Sequence, residues 1–385
     1  MTTDVEWLVR QKPWYNEEEL SQRLSAAGVD AVIARSGRNA MYLSGMRFPG
    51  TLGRHQDFVW SPRPALVVWP LEGAPTLVVN GFSHKLAAQS SWIDDIRTYT
   101  EYTESPWAIC IDRLEELGLG DGRIGIERQE LNVDQWAELS EGLSSGELVD
   151  CTATLNRVRN IKTDREIELL RKSVEIQDKA HIEVFGDAEP GVTEEELHAQ
   201  MLEFMIERGA EWGHGMMQSD NADITYGGEG PVPVENGNVV RTDYVSYYRG
   251  YAANLSRMAV MGSPTDEQVE YYEDVRDIHR TILDEKIRPG VEAQEVYEFL
   301  KEQLRKRGYA GAASLAGHST GIWWHQEEPI FHPGEETELR PGMVVCLEPI
   351  VDGFWHVQDQ VLVTEDGAEL LSDEFDTSEL FVMGQ

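Results

Sequence analysis

The chain has 385 residues, of which 41% are hydrophobic and 26% charged, so it is long enough and apolar enough to form two globular domains. Its 69 acidic and 33 basic residues give a formal net charge of -36. This charge argues against nucleic acid and anionic membranes as partners, because both are bound through clusters of Lys and Arg. We expect a soluble protein from a high-salt cytoplasm, where screening reduces the self-repulsion of an acidic surface.

The cysteines and the N-terminal segment bear on the cellular compartment. Cys110, Cys151 and Cys346 are odd in number and too far apart for a metal or redox motif, so we expect reduced, buried thiols. The N-terminal segment lacks the basic start and apolar core of a signal peptide. No apolar run approaches the ~18–20 residues that span a bilayer. These features predict a cytoplasmic location.

Residues 1–156 predict an α/β domain. The helix-like segment NEEELSQRLSAAGV precedes the strand-like DAVIA, and the apolar runs PALVVWP, TLVVN and RIGIE alternate with turns and the helical WAICIDRLEELGLG. This order is typical of a mixed or parallel sheet covered by helices. Within the domain, residues 47–60 predict a long connecting loop. The loop is either a mere connection or a substrate-facing segment in which Arg47 or Arg54 anchors a carboxylate.

Residues 157–385 predict a second domain that contains an internal repeat. The tripeptide PGV at 190–192 recurs 99 residues later at 289–291, and the dipeptide RG at 208–209 recurs with the same offset at 307–308. Each pair encloses an amphipathic helical segment. Two matches with one offset predict two similar α+β halves that face each other around a central site.

Two carboxylates stand out on predicted strands of this second domain. The stretch VVRTDYVSYYRGYAANLSR at 239–257 predicts two strands joined by a turn at Gly250, with Asp243 among apolar and aromatic residues. A buried carboxylate is costly unless a cation or hydrogen-bond donors meet it, so Asp243 is either a turn or edge residue or part of a site. Glu348 ends the apolar strand predicted by VVCLE, where the structural alternative is an ion pair with an arginine.

The predicted hairpin at 239–257 and three further motifs, GHSTG, CLEPI and HVQDQVLV, resemble those of the creatinase/prolidase/aminopeptidase P superfamily. The resemblance covers nearly the whole chain. It implies an α/β N-terminal domain followed by an α+β pita-bread domain with a pseudo-two-fold repeat, in a homodimer. Metal-dependent members of the superfamily hold two ions with five ligands, and the matching positions here are Asp243, Asn254, His318, Glu348 and Gln358.

Amides therefore stand at Asn254 and Gln358, where the metal-dependent relatives have the carboxylates that bridge the two ions. An amide oxygen can ligate a hard cation, but it adds no charge to hold two repelling cations together. The resemblance thus implies no dinuclear site. Two alternatives stay open: no metal, or one divalent ion (Mn, Fe, Co or Zn) held by Asp243, His318 and Glu348. Asn254 and Gln358 would be structural, or would donate hydrogen bonds to a substrate oxygen.

With its altered ligands, the chain looks like creatinase and ectoine hydrolase, which hydrolyse C–N bonds of small nitrogen-rich solutes without metal. By this resemblance Asp243 and Glu348 would hold a cationic amidinium or ammonium group. His325, the second histidine of the GHxxGxxxH pattern, would stabilise the transition state. Creatinase has a histidine base upstream of the first Asp position, but the matching region here offers Tyr226, which we expect to bind substrate, and His214 is out of register.

The general base is consequently open among His318, His325, Glu229 and Glu235. His325 could instead be a structural histidine satisfied by a neighbouring glutamate. The aromatic residues near these motifs are either core or the wall of a cation pocket: Trp323, Trp324, Phe331, Phe354 and Trp355.

Three functions are compatible with these residues. The first is a metal-independent hydrolase of C–N bonds in a small solute. The second is a metal-dependent Xaa-Pro dipeptidase or aminopeptidase P-like peptidase. The third is a catalytically inactive pita-bread module that binds other molecules. Because decay of a site would not spare Asp243, His318, His325 and Glu348 together, these residues favour a working pocket for a small-molecule substrate.

Overall fold

The computed structural model describes residues 15–48, 50–221, 228–310, 314–322 and 325–385, with backbone alone for 50–52 and 54. The chain divides into two compact units, which meet in sequence between Arg159 and Asn160. Among the described residues, no helix is long and apolar enough to cross a membrane. The three cysteines are buried free thiols, as predicted.

The N-terminal unit is a six-stranded mixed sheet with helices. Its helices are α1 (Glu17–Ala27), α2 (Gly37–Ser44), α3 (Gly50–Asp57), α4 (His84–Ser90), α5 (Pro106–Glu116), α6 (Val133–Gly142) and α7 (Thr152–Val158). Its strands are β1 (Ala31–Ala34), β2 (Leu66–Pro70), β3 (Thr76–Asn80), β4 (Asp95–Tyr99), β5 (Arg123–Ile126) and β6 (Glu147–Asp150). The strand order is β4-β3-β2-β1-β5-β6, and β2 is antiparallel to both of its neighbours. The apolar runs read from the sequence form this sheet.

The long loop predicted for residues 47–60 is wrong, because α3 occupies most of the segment. Its C-terminal end is held by Arg35, a buried residue of the loop after β1. The Arg35 guanidinium donates to the carbonyl of Gln56 at 2.9 Å and to that of Phe58. The Gln56 side chain in turn accepts from the backbone N–H of Ala65 at 2.8 Å. These partners are distant in sequence, so local composition gave no sign that they would satisfy the end of a helix.

The C-terminal unit contains four helices and twelve strands within the described residues. The helices are α8 (Asp164–Gly186), α9 (Glu194–Glu207), α10 (Asp266–Lys286) and α11 (Ala293–Lys306). The first strands are β7 (Trp212–Ser219), β8 (Val239–Tyr248), β9 (Tyr251–Leu255) and β10 (Met258–Met261). The others are β11 (Gly317–Ser319), β12 (Glu327–Ile330), β13 (Val344–Leu347), β14 (Ile350–Val351), β15 (Trp355–His356), β16 (Asp359–Thr364), β17 (Gly367–Leu370) and β18 (Phe381–Met383).

The internal repeat read from the sequence is a structural repeat. Helices α9 and α11 both have 14 residues, and their first residues, Glu194 and Ala293, are 99 positions apart. The backbone before each helix is held in the same way. Gly191 N–H donates to the carbonyl of Val234 at 2.8 Å in the first half, and Gly290 N–H donates to that of Leu339 at 2.9 Å in the second.

Each half packs a pair of helices against one face of a sheet that is antiparallel except for the parallel pair of β10 and β18. The first sheet has the order β18-β10-β8-β7 with β9 paired to β8, and the second has the order β12-β11-β13-β16-β17. Tyr244 and Met217 lie in the core with α8 and α9, whereas Val345 and Val361 lie in the core with α10 and α11. Since side chains alternate along a strand, the residues between them project from the opposite faces.

One detail of the predicted strands differs from the structure. Strand β13 ends at Leu347, so Glu348 follows the strand, and its N–H donates to the carbonyl of Ala316 at 3.1 Å. All five residues from His356 to Gln360 are buried. Core residues cover one face of this stretch, and side chains of the first half contact the other.

Candidate active site

Asp243 lies in the middle of β8, on the face of the sheet that points away from α8 and α9. The adjacent Tyr244 is on the other face, where it packs with Leu197 and Met201 of α9. On β7, Met216 is the cross-strand neighbour of Asp243. Because β8 has strands on both sides, a turn or edge position for this carboxylate is wrong.

A chain of amides is bound to Asp243. Asn254 Nδ2 donates to Asp243 Oδ1 at 3.1 Å and to the Tyr244 carbonyl at 3.1 Å. Gln358 Nε2 donates to Asn254 Oδ1 at 2.8 Å. The backbone N–H of Asn254 donates to Gln360 Oε1 at 3.0 Å. The two residues at the bridging positions therefore bind each other, and Gln358 Oε1 has no hydrogen-bond partner among the described residues.

His318 and Glu348 project from one face of the second sheet. His318 is in register with Cys346, so the side chain two residues further on, Glu348, lies on the same side. His318 Nδ1 is 2.8 Å from the carbonyl of Ser319, which assigns the ring proton to Nδ1 and the lone pair to Nε2. His318 Nε2 is 3.8 Å from Glu348 Oε1. Neither atom has a hydrogen-bond partner in the part of the chain that the structure describes.

Burial shifts the pKa values of these groups in opposite directions. The pKa of Glu348 is raised to about 8 by desolvation and by the charge of Asp243. Desolvation also raises the pKa of Asp243, although the hydrogen bond from Asn254 and the charge of Arg241 oppose it. Desolvation lowers the pKa of His318 to about 4. At neutral pH the pair therefore consists of a protonated carboxyl and a neutral imidazole, an acid and a base 3.8 Å apart.

His325 extends this group of side chains toward solvent. Its ring is edge-on to that of His318, with centroids 5.9 Å apart, and edge-on to that of His214, also at 5.9 Å. Burial lowers the pKa of His325 to about 3, and the two neighbouring imidazoles add to the effect. His325 is therefore a neutral hydrogen-bonding group beside the acid and base.

The two glutamates considered as alternative bases lie away from this site. Glu229 Oε1 is 3.3 Å from Nε2 of His198 on α9, whose other ring nitrogen is 2.6 Å from the Tyr244 hydroxyl. This places Glu229 on the helix side of the sheet, opposite Asp243. Glu235 is exposed, at a turn before β8. Neither can act as the base for a substrate held by Asp243.

Several residues predicted to bind substrate are not brought to the site by what the structure describes. Tyr226 and the side chain of Arg54 lie outside the described residues. Arg47 belongs to the N-terminal unit, between α2 and α3, and its role as a carboxylate anchor stays a prediction.

The aromatic residues proposed as a possible cation wall do not form one where they are described. Phe331 and Trp355 are core residues, and Phe354 packs against the same core and under the guanidinium of Arg241. Trp323 and Trp324 lie outside the described residues. The rings that the structure does place beside the site are on β7 and β8.

Sequence reasoning missed His214 and Trp212. Both lie on β7, where Trp212 is paired with Tyr247 and His214 with Val245, four and two positions from Asp243 on the same face of β8. The alternation in WGHGMM was the available signal, because every second residue of a strand next to β8 must share the face of Asp243. A comparison of motif spacing alone placed His214 out of register and did not detect this.

The donor set does not fit a dinuclear metal centre. Two of the five positions are neutral amides, and Asn254 turns its N–H groups toward Asp243, so a donor occupies the space that a bridging carboxylate would need. Within the described ranges, no group of three or more His, Cys, Asp or Glu side chains is arranged to hold a metal ion. What the arrangement offers is an acid, a base and a carboxylate.

Family models match both units of the chain. The model of the Creatinase/Prolidase N-terminal domain matches residues 18–161, and that of metallopeptidase family M24 matches residues 168–366. The chain belongs to the M24 family. The predicted superfamily is thereby confirmed, as is the assignment to a class of hydrolases that cleave C–N bonds.

The relatives of this M24 protein include peptidases and a creatinase. An uncharacterized peptidase of Bacillus subtilis, YqhT, is 25% identical over 358 residues, covering 91% of the chain and 95% of the relative. The Xaa-Pro dipeptidase of Pyrococcus furiosus is 31% identical over 223 residues, covering 56% and 64%. The creatinase of a Bacillus species is 24% identical over 393 residues, covering 93% and 91%.

Solved structures of this family confirm the predicted fold class. The structure of an Xaa-Pro dipeptidase from Bacillus anthracis superposes with a TM-score of 0.80 at 21% identity, covering 95% of this chain and 98% of that one. The X-Pro aminopeptidase of Thermotoga maritima gives a TM-score of 0.78 at 20% identity, covering 94% and 100%. At these identities the likeness concerns the fold, and the reaction must be argued from the site.

Proposed function

We propose that this M24 protein hydrolyses a C–N bond in a small, cationic, nitrogen-rich solute and does so without a dinuclear metal centre. The observation that carries the proposal is the hydrogen-bonded chain of Gln358, Asn254 and Asp243. It fills the bridging positions with neutral groups and leaves Asp243 as the anion. An anion held partly buried, with its pKa raised by desolvation, is stabilised when a cation binds to it.

The facing pair of His318 and Glu348 supplies the acid–base chemistry of such a hydrolysis. An oxygen or nitrogen atom can lie at a hydrogen-bond distance of about 2.8 Å from both His318 Nε2 and Glu348 Oε1, because these atoms are 3.8 Å apart. His318 Nε2 takes a proton from water as the water oxygen bonds to the substrate carbon. The C–N bond then breaks with its electron pair on nitrogen, and that nitrogen takes the proton of Glu348.

The remaining residues orient the substrate and complete the proton cycle. Asn254 holds Asp243 in place, and Gln358 Oε1 accepts a hydrogen bond from a substrate N–H. Neutral His325 donates to the oxygen that gains charge. After the products leave, the proton on His318 passes across the short gap to Glu348. Each turnover thus consumes one water and leaves both groups in their starting forms.

A metal-dependent Xaa-Pro dipeptidase is the second candidate. It is favoured by the relatives, since the Xaa-Pro dipeptidase of Pyrococcus furiosus is 31% identical to the matched part of this chain. In this case Asp243, His318 and Glu348 would hold a single divalent ion, and that ion would activate the water. An inactive binding module is disfavoured, because a protein without catalytic activity would not need an acid and a base that face each other.

The deciding experiment combines metal analysis with a substrate panel. Protein purified in 2 M KCl is dialysed with and without EDTA, its metal content is measured, and hydrolysis of creatine, ectoine and an Xaa-Pro dipeptide is followed with and without Mn²⁺. We expect less than about 0.1 equivalent of metal and EDTA-resistant cleavage of a cationic solute. Two ions per chain, or dipeptide cleavage that EDTA abolishes and Mn²⁺ restores, would refute the proposal.

A further inference from the structure

Three rings lie on the same face of β7 and β8 as Asp243, and we call them the ring surface: Trp212, His214 and Tyr247. Trp212 stacks on Tyr247 with centroids 4.5 Å apart and planes 6° from parallel. His214 lies 5.2 Å from Trp212 at 29°. Tyr247 is buried, Trp212 is half-buried and His214 is exposed, so the ring surface passes from the protein interior to solvent.

The strand register fixes the ring surface on the same face as Asp243. Two glycines, Gly213 and Gly215, alternate with the rings along β7 and face the helices. A Cβ at Gly213 would be 2.9 Å from the Met205 side chain, and one at Gly215 would be 2.6 Å from the ring of Tyr244. A one-residue slip of β7 would drive larger side chains into these places. The rings are therefore held on the Asp243 face by the packing behind them.

The ring surface is continuous with the acid–base pair. The ring of His325 is 5.9 Å from that of His214 and 5.9 Å from that of His318, edge-on to both. His318 in turn lies 3.8 Å from Glu348. A ligand whose cationic group binds Asp243 could thus place its remaining atoms beside aromatic groups.

We propose that the ring surface determines specificity, selecting substrates whose cationic group is part of, or conjugated to, a planar ring. This inference rests on the proposed function, because it takes Asp243 as the group that holds the cation. Flat π-systems and delocalised cations both bind favourably to aromatic faces. The rings are already fixed by stacking, so binding would not incur the entropy cost of immobilising these side chains. A cation without a planar group would use the carboxylate of Asp243 alone.

The test compares two probes that share one cationic group. Acetamidinium carries only the amidinium, whereas benzamidinium carries it on a planar ring. Binding of both is measured by isothermal titration calorimetry at one KCl concentration. We expect benzamidinium to bind wild-type protein roughly 10-fold more tightly. Trp212→Ala should remove most of that preference and leave acetamidinium binding within about twofold, and His214→Ala should remove part of it.

Three further variants separate the inference from the proposed function. Trp212→Phe keeps a ring and should keep part of the preference, so it serves if the alanine variant does not fold. Asp243→Asn should weaken both probes alike. Phe82→Ala, at a phenylalanine 83% exposed in the N-terminal unit, should change neither.

The possible outcomes refute different claims. Equal affinity of wild-type protein for the two probes, or a preference unchanged in both Trp212 variants, would overturn the role of the ring surface. The proposed function would then stand, provided that acetamidinium binding depends on Asp243. Failure of both probes to bind, or binding indifferent to Asp243→Asn, would overturn the cation-holding role of Asp243 and the inference built on it.

Discussion

Asn254 donates both hydrogens of its amide, one to Asp243 and one to a backbone carbonyl, and accepts the amide of Gln358 through its oxygen. This pattern is possible because neither residue is ionised. A carboxylate at position 254 would place a second negative charge beside Asp243, where only a cation could compensate it. In a five-ligand site, metal ions hold the ligand side chains together. Here the hydrogen bonds of the two amides hold the corresponding side chains together instead.

Restoring the two carboxylates should therefore restore metal binding. We expect Asn254→Asp combined with Gln358→Glu to bind about two Mn²⁺ per chain, because the substitutions supply the missing bridging charge. Elemental analysis after dialysis would measure this, and Mn²⁺ should raise the melting temperature of the double variant only. Gln360→Glu, which changes a nearby amide that matches no ligand position, is the control. Two ions in wild-type protein, or none in the double variant, would contradict the argument.

The acid–base pair predicts a bell-shaped pH dependence of kcat/KM. Lowering the pH through about 4 protonates His318, whose pKa is depressed to that value, and removes the base. Raising the pH through about 8 ionises Glu348, whose pKa is elevated to that value, and removes the acid. Activity should therefore be highest between the two pKa values. The profile would be measured in a constant-ionic-strength buffer with whichever solute proves to be the substrate.

Glu348→Gln provides the control for this assignment. Glutamine keeps the shape of the side chain but can neither donate an acidic proton nor titrate. The variant should lose about 10²-fold or more of kcat, and its remaining activity should lack the limb near the pKa of about 8. A variant that retains the alkaline limb would assign that limb to another group.

At the level of elements, β7 packs against β8 too closely for a side chain at Gly215. Gly215 lies opposite Tyr244, and a Cβ there would be 2.6 Å from the tyrosine ring. Gly215→Ala should therefore displace β7 from β8 beside Asp243, with a loss of stability of about 1–3 kcal/mol and a larger loss of activity. Gly186→Ala is the control, since its Cβ would meet nothing nearer than 3.9 Å. Urea denaturation and kcat would be compared; equal effects of the two variants would refute the claim.

Elements with a local signal were predictable, and those fixed by distant partners were not. The hairpin of β8 and β9 and the paired helices α9 and α11 followed from residue alternation, a glycine turn and a 99-residue repeat. Helix α3 did not, because Arg35, which binds its last carbonyls, lies on another element. Likewise, Asp243 and Glu348 could be singled out as costly carboxylates. The hydrogen bond between Asn254 and Gln358, 104 residues apart in sequence, required the structure.

A buried ion network joins the two halves of the C-terminal unit. Arg257, which follows β9, donates to Asp178 of α8 at 2.8 Å and lies 2.8 Å from Asp359 of β16. It also donates to the carbonyl of Gln358 at 2.7 Å, so it fixes the backbone that carries the amide chain. Helix α8 belongs to the first half and β16 to the second. The arginine therefore bonds the halves together directly behind the site.

Removing this arginine should be among the most destabilising single changes in the unit. Arg257→Met leaves two buried carboxylates without their cation and should cost about 3–5 kcal/mol of unfolding free energy. Adding Asp178→Asn and Asp359→Asn should recover a substantial part of the loss. Arg171→Met breaks the exposed pair with Glu369 and should cost less than about 1 kcal/mol. Chemical denaturation in constant KCl measures all three, and equal losses for the two single variants would contradict the prediction.

For the molecule as a whole, electrostatic self-repulsion opposes folding. At most 33 of the 69 acidic residues can be matched one-to-one with Lys or Arg, so the net charge of -36 has no internal compensation. Compact folding brings these charges together, and dissolved salt screens them over about 10 Å at 0.1 M and about 3 Å at 1 M. The high-salt source and the homodimer expected from the sequence stay predictions. The net charge leads directly to a further prediction about thermal stability.

The melting temperature should rise with salt, by at least about 5 °C between 0.1 and 2 M KCl, since screening weakens repulsion more in the compact state than in the expanded one. The exposed ion pairs lose strength under the same conditions, but each contributes less than about 1 kcal/mol, and we expect the reduced self-repulsion to outweigh that loss. Thermal unfolding followed by circular dichroism measures the effect. Sucrose at matched osmolality is the control, because it stabilises compact states without screening charge. If sucrose raised the melting temperature as much as KCl, excluded solute would explain the change, and the surface charge would have no part in it.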